Sequence, residues 1–232
     1  MKGSKKQWAF LYMPLIFVAC VFMLLFLLIK PYKDTISLYA NAITIATPAD
    51  TSKLPKSIFD EELAEQMKKE REETKGKQTK IPSSEVEYPN LGIEYGSVSL
   101  DKQNVQTRLI YGDSNEDLRV GVGHFNGSVF PGEGGTTLIG GHNTADLASL
   151  EQAEIGDTVT IRTNYGTYTY KINDKQVKKY DDRTAIASLY EKSDDNHLIL
   201  YTCYPIDMIG LTDDRLFVYA DLISGDMIDP SI

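Results

Sequence analysis

A mostly β fold, closed or nearly closed into a barrel of about 150 residues, is what this sequence predicts. Three observations predict it. From about residue 86 the chain breaks into short runs rich in β-branched and aromatic residues, punctuated by Gly, Asn and Asp. Helical patterns in that region are few and brief. Ahead of it stands one long apolar run, Trp8 to Ile29, of the length a membrane helix needs.

That run, WAFLYMPLIFVACVFMLLFLLI, is 22 residues without a charge. At about 1.5 Å per residue it spans roughly 33 Å, the thickness of a bilayer's hydrocarbon core. A signal peptide has an apolar region of about 7–15 residues and a small-residue cleavage site, and neither is present. An uncleaved anchor over 8–29 is therefore predicted. Pro14 is tolerated in such a helix. Lys2, Lys5 and Lys6 precede the run and Lys30 and Lys33 follow it, a small balance toward an inside N-terminus. About 200 residues follow the anchor and seven precede it. The expected layout is a cytoplasmic tail over 1–7, a single pass through the cell membrane, and an extracellular working part.

Residues 30–85 read as an extracellular stalk. Pro31, Pro48 and Pro55 punctuate its first half. SIFDEELAEQMKKEREETKG then predicts a helix over about 58–74, with Ser57 as cap, Asp60 three residues on and Gly76 to close it. Phe59, Leu63 and Met67 recur at i, i+4 and i+8 on one face. Two readings stay open: a solvated spacer helix, or a helix packed on the following domain by that narrow stripe. KQTKIPSSE, residues 77–85, reads as a linker.

Residues 86–232 form the predicted barrel domain. SVSL, VQTRLI, TTLIG, TVTIRTN, TYTYKIND, HLILYTC and RLFVYADL read as strands. TVTIRTNYGTYTYKI predicts a hairpin turning at Asn164, Tyr165 and Gly166. TADLASLEQAE and RTAIASLYE predict short helices or turns.

The net charge is −9, and from residue 86 onward 11 Lys and Arg face 23 Asp and Glu, a balance of −12. No basic stripe is present, which argues against nucleic acid as a partner. An acidic surface keeps an exported domain soluble.

Two cysteines occur, Cys20 in the apolar run and Cys203 in HLILYTC. Exported thiols usually pair. Cys203 has no exported partner, so it is either a buried inert residue or a reactive thiol. No Cys-x-x-Cys redox pair exists, and one exported cysteine cannot build a Cys₄ or Cys₂His₂ zinc site. A nucleophilic thiol needs a base. His142 follows a strand and two glycines, where a loop can present it at a barrel rim. His124, in VGVGHFNGS, also sits in a Gly-rich loop. His197 opens the strand that carries Cys203 and lies about 20 Å from it, too far to act as its base. Acyl transfer also needs donors for an oxyanion. Arg215 opens the next strand, twelve residues after Cys203, a connection that returns an antiparallel neighbour beside it. The other reading of Arg215 is a surface ion pair with Asp213 or Asp214.

The joint pattern of His142, Cys203 at a strand end 61 residues later and Arg215 twelve further resembles the sortases. These are membrane-anchored cysteine transpeptidases of Gram-positive bacteria. VFPGEGGTTLIGGHN, residues 129–143, is similar to the family's LPGEGG…GH, and ILYTC, residues 199–203, to its Thr-Leu-x-Thr-Cys strand. TCYP, followed by Ile-Gly and an Arg before VYA, looks most like class D. Ile199 stands where Thr is usual, and Asn143 where Arg often follows the histidine. No Asp-Pro-aromatic lid occurs in residues 30–85, unlike the pilin-polymerising class C.

The resemblance covers roughly residues 86–224 and the anchor. It implies a sortase-like closed barrel of about eight strands with short helices. It implies that Cys203 attacks the Thr carbonyl of an LPXTG-like sorting signal, that His142 protonates the leaving glycine amine and that Arg215 steadies the oxyanion. The thioester then passes to a cell-wall precursor amine or, in a pilin-joining enzyme, to a pilin lysine. His124, Thr202 and Tyr204 would contact substrate. No cofactor is required by this chemistry and no metal ligand is assigned; calcium at a looser acidic rim stays open, because some sortases use it. DSNED, Asp113–Asp117, imitates an EF-hand start, but Leu118 stands at position six and His124 at position twelve, so no EF-hand is expected. SKLPKSI around Leu54 only loosely echoes a sorting signal. The reading from another class is an anchored, non-catalytic β-barrel binding module.

Overall fold

The structure, a computed structural model, describes residues 4–30, 57–73, 80–143, 147–208 and 212–230. Two compact units divide the chain, Met1–Thr47 and Pro48–Ile232.

The first unit holds helix α1, Ser4–Ile29, 26 residues with Pro14 inside. Its described side chains, residues 12–28, are all exposed. Over the described residues no helix is long and apolar enough to cross a membrane. That span of side chains is shorter than the backbone helix, which covers the whole apolar run. Residues 31–56 of the expected stalk, and Gly76 as helix end, lie outside the described residues.

The second unit opens with α2, Glu61–Glu73. It starts later than the sequence predicts because Asp60 caps it. The Asp60 carboxylate accepts from the Glu62 and Leu63 amides at 3.0 and 3.1 Å. Ser57 instead accepts from the Phe59 amide at 3.0 Å and donates to the Glu94 carbonyl at 3.3 Å. This ties the helix entry to the barrel. Ala64 is fully buried while Leu63 is 45% exposed, so the contact runs through Ala64 rather than through Leu63. Glu61 accepts from Gln106 at 3.2 Å, and Glu65 faces Arg162 at 4.0 Å. The helix is thus packed on the barrel and is not a solvated spacer.

Ten strands follow among the described residues: β1 Lys80–Pro82, β2 Glu94–Leu100, β3 Val105–Tyr111, β4 Val122–His124, β5 Gly135–Gly141, β6 Thr158–Thr163, β7 Thr167–Lys179, β8 Asn196–Tyr204, β9 Asp214–Ser224 and β10 Met227–Asp229. Eight of them close a barrel in the order β2-β3-β4-β5-β8-β9-β7-β6. The remaining two, β1 and β10, pair in parallel, so part of the expected linker is a strand held by the chain's last described residues. The predicted turn at 164–166 joins β6 to β7, with the Thr163 amide donating to the Gly166 carbonyl at 2.8 Å. Short 3-10 helices occupy Ala148–Gln152 and Arg183–Tyr190, within the two stretches predicted as helices or turns.

Strand β4 lies where the sequence predicts a Gly-rich loop, because it is three residues long and flanked by glycine. Its glycine has a steric reason. A Cβ on Gly123 would stand 2.5 Å from the Gly112 carbonyl oxygen, so only glycine lets the β3–β4 connection lie that close.

Period-two alternation divides β8 and β9 between two cores. Leu198, Leu200, Leu216, Val218 and Ala220 join the main core with Leu109, Ile139, Ile161 and the buried tyrosines 95, 168 and 170. Ile199 and Phe217 join a second cluster with Leu138 and Ala185, against which Tyr201, Tyr219 and Leu189 pack. The Arg183–Tyr190 segment covers this second face, and the Tyr219 hydroxyl donates to the Ala185 carbonyl at 2.9 Å.

Candidate active site

Three neighbouring strands bring the sequence-predicted residues to one level. Strands β5 and β8 run parallel, with their last paired rung at Gly141↔Thr202. His142 and Cys203 are the next residue on each. Strands so paired lie about 4.8 Å apart. On the other side of β8 the antiparallel β9 places Arg215 directly opposite Cys203. Opposed residues share a face, with Cβ atoms about 4.5–5.5 Å apart. All three residues are half-buried. Cys203 continues the face of Ile199 and Tyr201 along β8.

The Arg215 guanidinium is held by backbone oxygens. Its Nη1 donates to the Thr212 carbonyl at 2.6 Å and to the Asp214 carbonyl at 2.9 Å. The Cζ lies 6.0 Å from the centre of the Tyr180 ring. Asp214 turns its carboxylate to Lys179 at 2.8 Å, so the surface ion pair considered for Arg215 is not made with it. Nη1 also donates to Thr212 Oγ1 at 3.4 Å, and among the described residues the guanidinium's hydrogen bonds all run through Nη1, which orients the fork.

Thr202, expected to contact substrate, is 0% exposed and donates from Oγ1 to the Gly141 carbonyl at 2.8 Å. It lies on the opposite face from Cys203. Tyr204 shares that opposite face and packs against the main core. The alternation that puts Cys203 on one face therefore turns both its neighbours to the other.

His124 does not line the site either. It is 0% exposed. Tyr111 and Phe130 surround its ring at centroid distances of 5.3 and 4.8 Å. Ser128 donates to the Phe125 carbonyl at 2.9 Å, which makes its oxygen the acceptor from His124 Nε2 at 3.0 Å. Nδ1 then accepts from the Tyr95 hydroxyl at 2.7 Å. Burial pushes the imidazole down to about 4 against the opposing backbone hydrogen bonds of Val129 and Ser128. It is a neutral core histidine. His197 sits at the far end of β8, bonded to Asp221 at 2.7 Å.

Two neighbours escaped the sequence reading. Tyr201 stands two residues before Cys203 on the same face. Its ring stacks on Phe217 at 5.9 Å and 27°. Burial first, then Asp113, raises its hydroxyl's pKa, Arg215 opposes the rise, and Cys203 adds to it. Counting back by two from Cys203 could have found it. Asn143 is 5% exposed and donates from Nδ2 to the carbonyls of Pro205, Ile206 and Met208 at 3.1, 3.2 and 3.1 Å. Nothing in the local sequence signals that contact, since its partners lie more than 60 residues away.

The DSNED stretch is a hydrogen-bonded turn. Ser114 and Asp117 cap one another, the Ser114 amide donating to the Asp117 carboxylate at 3.1 Å and the Asp117 amide to Ser114 Oγ at 3.2 Å. Among the described residues no three His, Cys, Asp or Glu side chains form a metal-ligand cluster.

A Sortase domain family matches residues 98–223 of the chain. Sortase D of Bacillus subtilis (strain 168) is 27% identical over 173 residues, which cover 75% of this chain and 86% of that protein. Among solved structures, the fold is shared with a Clostridium perfringens Sortase D5 transpeptidase, TM-score 0.52 at 24% identity over 71% of this chain and 95% of that one. The SrtF sortase of Corynebacterium diphtheriae gives a TM-score of 0.55 at 18% identity, covering 61% and 90%.

Proposed function

We propose, on the premise that the chain belongs to the sortase family and is a sortase transpeptidase with a class D relative, that it cleaves an LPXTG-like sorting signal between Thr and Gly and transfers the severed protein to an amine. The observation that carries this reading is the shared level of Cys203, Arg215 and the strand end that leads into His142.

In the first half-reaction the Cys203 sulfur bonds to the Thr carbonyl carbon. The carbonyl electrons move onto oxygen, and the Arg215 guanidinium faces that charge with fixed donors. As the intermediate collapses the C–N bond breaks, and His142 gives its proton to the leaving glycine amine. In the second, an amine attacks the thioester, the proton returns to His142 and the thiolate leaves. Two steps conserve the energy of the old amide in the thioester, so a new amide forms without a cofactor. The acceptor is a cell-wall precursor amine. A pilin lysine is the other acceptor of the same chemistry. A non-catalytic binding module does not accord with a sortase transpeptidase.

The apolar run of α1 supports anchoring in the cell membrane by a single pass, with the barrel domain outside. A fluorogenic LPXTG peptide incubated with the full chain in detergent tests the reaction. Cleavage should require a free thiol and vanish in Cys203→Ala and His142→Ala. Retention of cleavage by either variant would sink the assignment.

A further inference from the structure

The β5–β8 ladder stops at Gly141↔Thr202, one residue short of His142 and Cys203. Past that rung the two strand ends have no further mutual pairing, and parallel strands released from their ladder are free to diverge. Among the described residues, the side chain of Asn143 spans the gap. The Asn143 amide is buried among the Pro205, Ile206 and Met208 carbonyls, all within 3.2 Å of Nδ2. Those carbonyls belong to the turn that directly follows Cys203–Tyr204. The turn is closed on itself by the Met208 amide donating to the Pro205 carbonyl at 3.3 Å. An amide carries two hydrogens, so one of the three contacts is shared. Asn143 therefore sits in the mouth of the turn as its hydrogen-bonding centre. It is also the residue next to His142. Thr202 Oγ1, on the Gly141 carbonyl at 2.8 Å, is a bolt at the last rung, and Asn143 is a second bolt beyond it.

We propose that Asn143 is a positioning residue for the transpeptidation: it fastens the turn after Cys203 to the strand end that carries His142, and so holds thiol and imidazole at one separation. The proposal rests on the roles given above to those two residues. A displacement of about 1 Å in such a pair costs on the order of 100-fold in rate. The groups around the thiol that respond to pH or carry charge are His142 after β5, Arg215 on β9, Tyr201 on β8 and Asp113 after β3. Asn143→Asp adds a carboxylate to this set, so Asn143→Ser, which adds no charge, is measured beside it.

The test uses the full chain in detergent carrying Cys20→Ala, which leaves Cys203 as the one thiol. Asn143→Asp keeps the shape and replaces the donor with an acceptor facing three carbonyls. Thermal midpoint, kcat and KM on an LPXTG peptide, and the pH profile of Cys203 alkylation by a neutral reagent are measured beside His142→Ala. The expected result is a kcat lowered about 10-fold or more per titrated thiol, a KM within about 3-fold of the parent, and an alkylation profile moved toward that of His142→Ala. A lowered thermal midpoint with kcat per thiol within about 2-fold of the parent overturns the proposal, as does a loss confined to KM. Asn143→Ser, which retains one donor, is judged by the same criteria, and decides alone if Asn143→Asp does not fold. A parent that cleaves no sorting peptide defeats the functional assignment, while the alkylation comparison still decides the clamp.

Discussion

Arg215 is fixed by two backbone carbonyls through Nη1, and that fixation separates it from an exposed lysine-like charge. A lysine there would reach with one compact ammonium and could not hold the carbonyls and an oxyanion together. Arg215→Lys should lower kcat/KM on the sorting peptide about 100-fold, with the thermal midpoint little changed. Steady-state kinetics beside a melting curve check both halves. His124 has a different consequence. Its imidazole is held near 4 by burial, against about 6.5 in an unfolded chain. The unfolded state therefore takes up the proton first. The stability from the neutral ring is whole above about pH 6.5, shrinks as pH falls and is lost through about pH 4, a swing of roughly 3 kcal/mol. Urea unfolding between pH 7.5 and 4 should show this slope, and His124→Gln should flatten it. Cys203, His142 and Arg215 stand out in the sequence as candidates because each is chemically scarce in its stretch: one thiol beyond the apolar run, one histidine after a strand and two glycines, one arginine opening the next strand. His124 and Thr202, expected to contact substrate, are fully buried, and half-buried Tyr204 packs against the main core. Residue type says nothing of which way a side chain points, and here the strand pleat and the core decide it.

At the scale of elements, the site is the end of a three-strand platform, β5-β8-β9, with glycine where a ring must lie flat. A Cβ on Gly140 would stand 2.5 Å from Cζ of Tyr201. That ring stacks on Phe217, which stacks on Tyr219 at 6.4 Å. Gly140→Ala should push Tyr201 out of its stack and cost about 1–3 kcal/mol, seen as a lower thermal midpoint and an altered near-ultraviolet dichroism of the aromatic stack. An unchanged spectrum would mean the ring slides aside at no cost. The seven longer strands were readable from their alternation and turn residues. The three-residue strands β1, β4 and β10 were not, because three residues carry too little pattern and their pairing is non-local. The α2 boundary moved for a local reason: Asp60 and Ser57 are both cap residues, and contact with Glu94 drew Ser57 to the barrel.

Across the whole molecule, a long apolar helix and an acidic barrel domain lie in separate compact units. If α1 is the anchor, deleting residues 8–29 should move the chain from the membrane pellet to the soluble fraction while cleavage of a free peptide persists, because no barrel strand or site residue is removed. Loss of peptide cleavage in the soluble form would tie the anchor to the chemistry. The barrel closes by joining β2 to both β3 and β6, so its edges are satisfied within residues 94–224. The α2 segment adds a buried alanine and two polar contacts to that closed wall.

By itself the sequence determined the barrel class, the hairpin at 164–166, the seven longer strands and the residue types, Cys203, His142 and Arg215, on which the proposed site rests. Each of these is set by local pattern or by the chemistry of a single residue type. Tertiary structure decided what faces the thiol: the rung that opposes Cys203 to Arg215, the inward turn of Thr202 and Tyr204, the burial of His124 and the reach of Asn143 across more than 60 residues. Those are questions of register and of which strand lies beside which. They are settled when distant segments close a barrel around one core, and no local stretch of chain contains the answer.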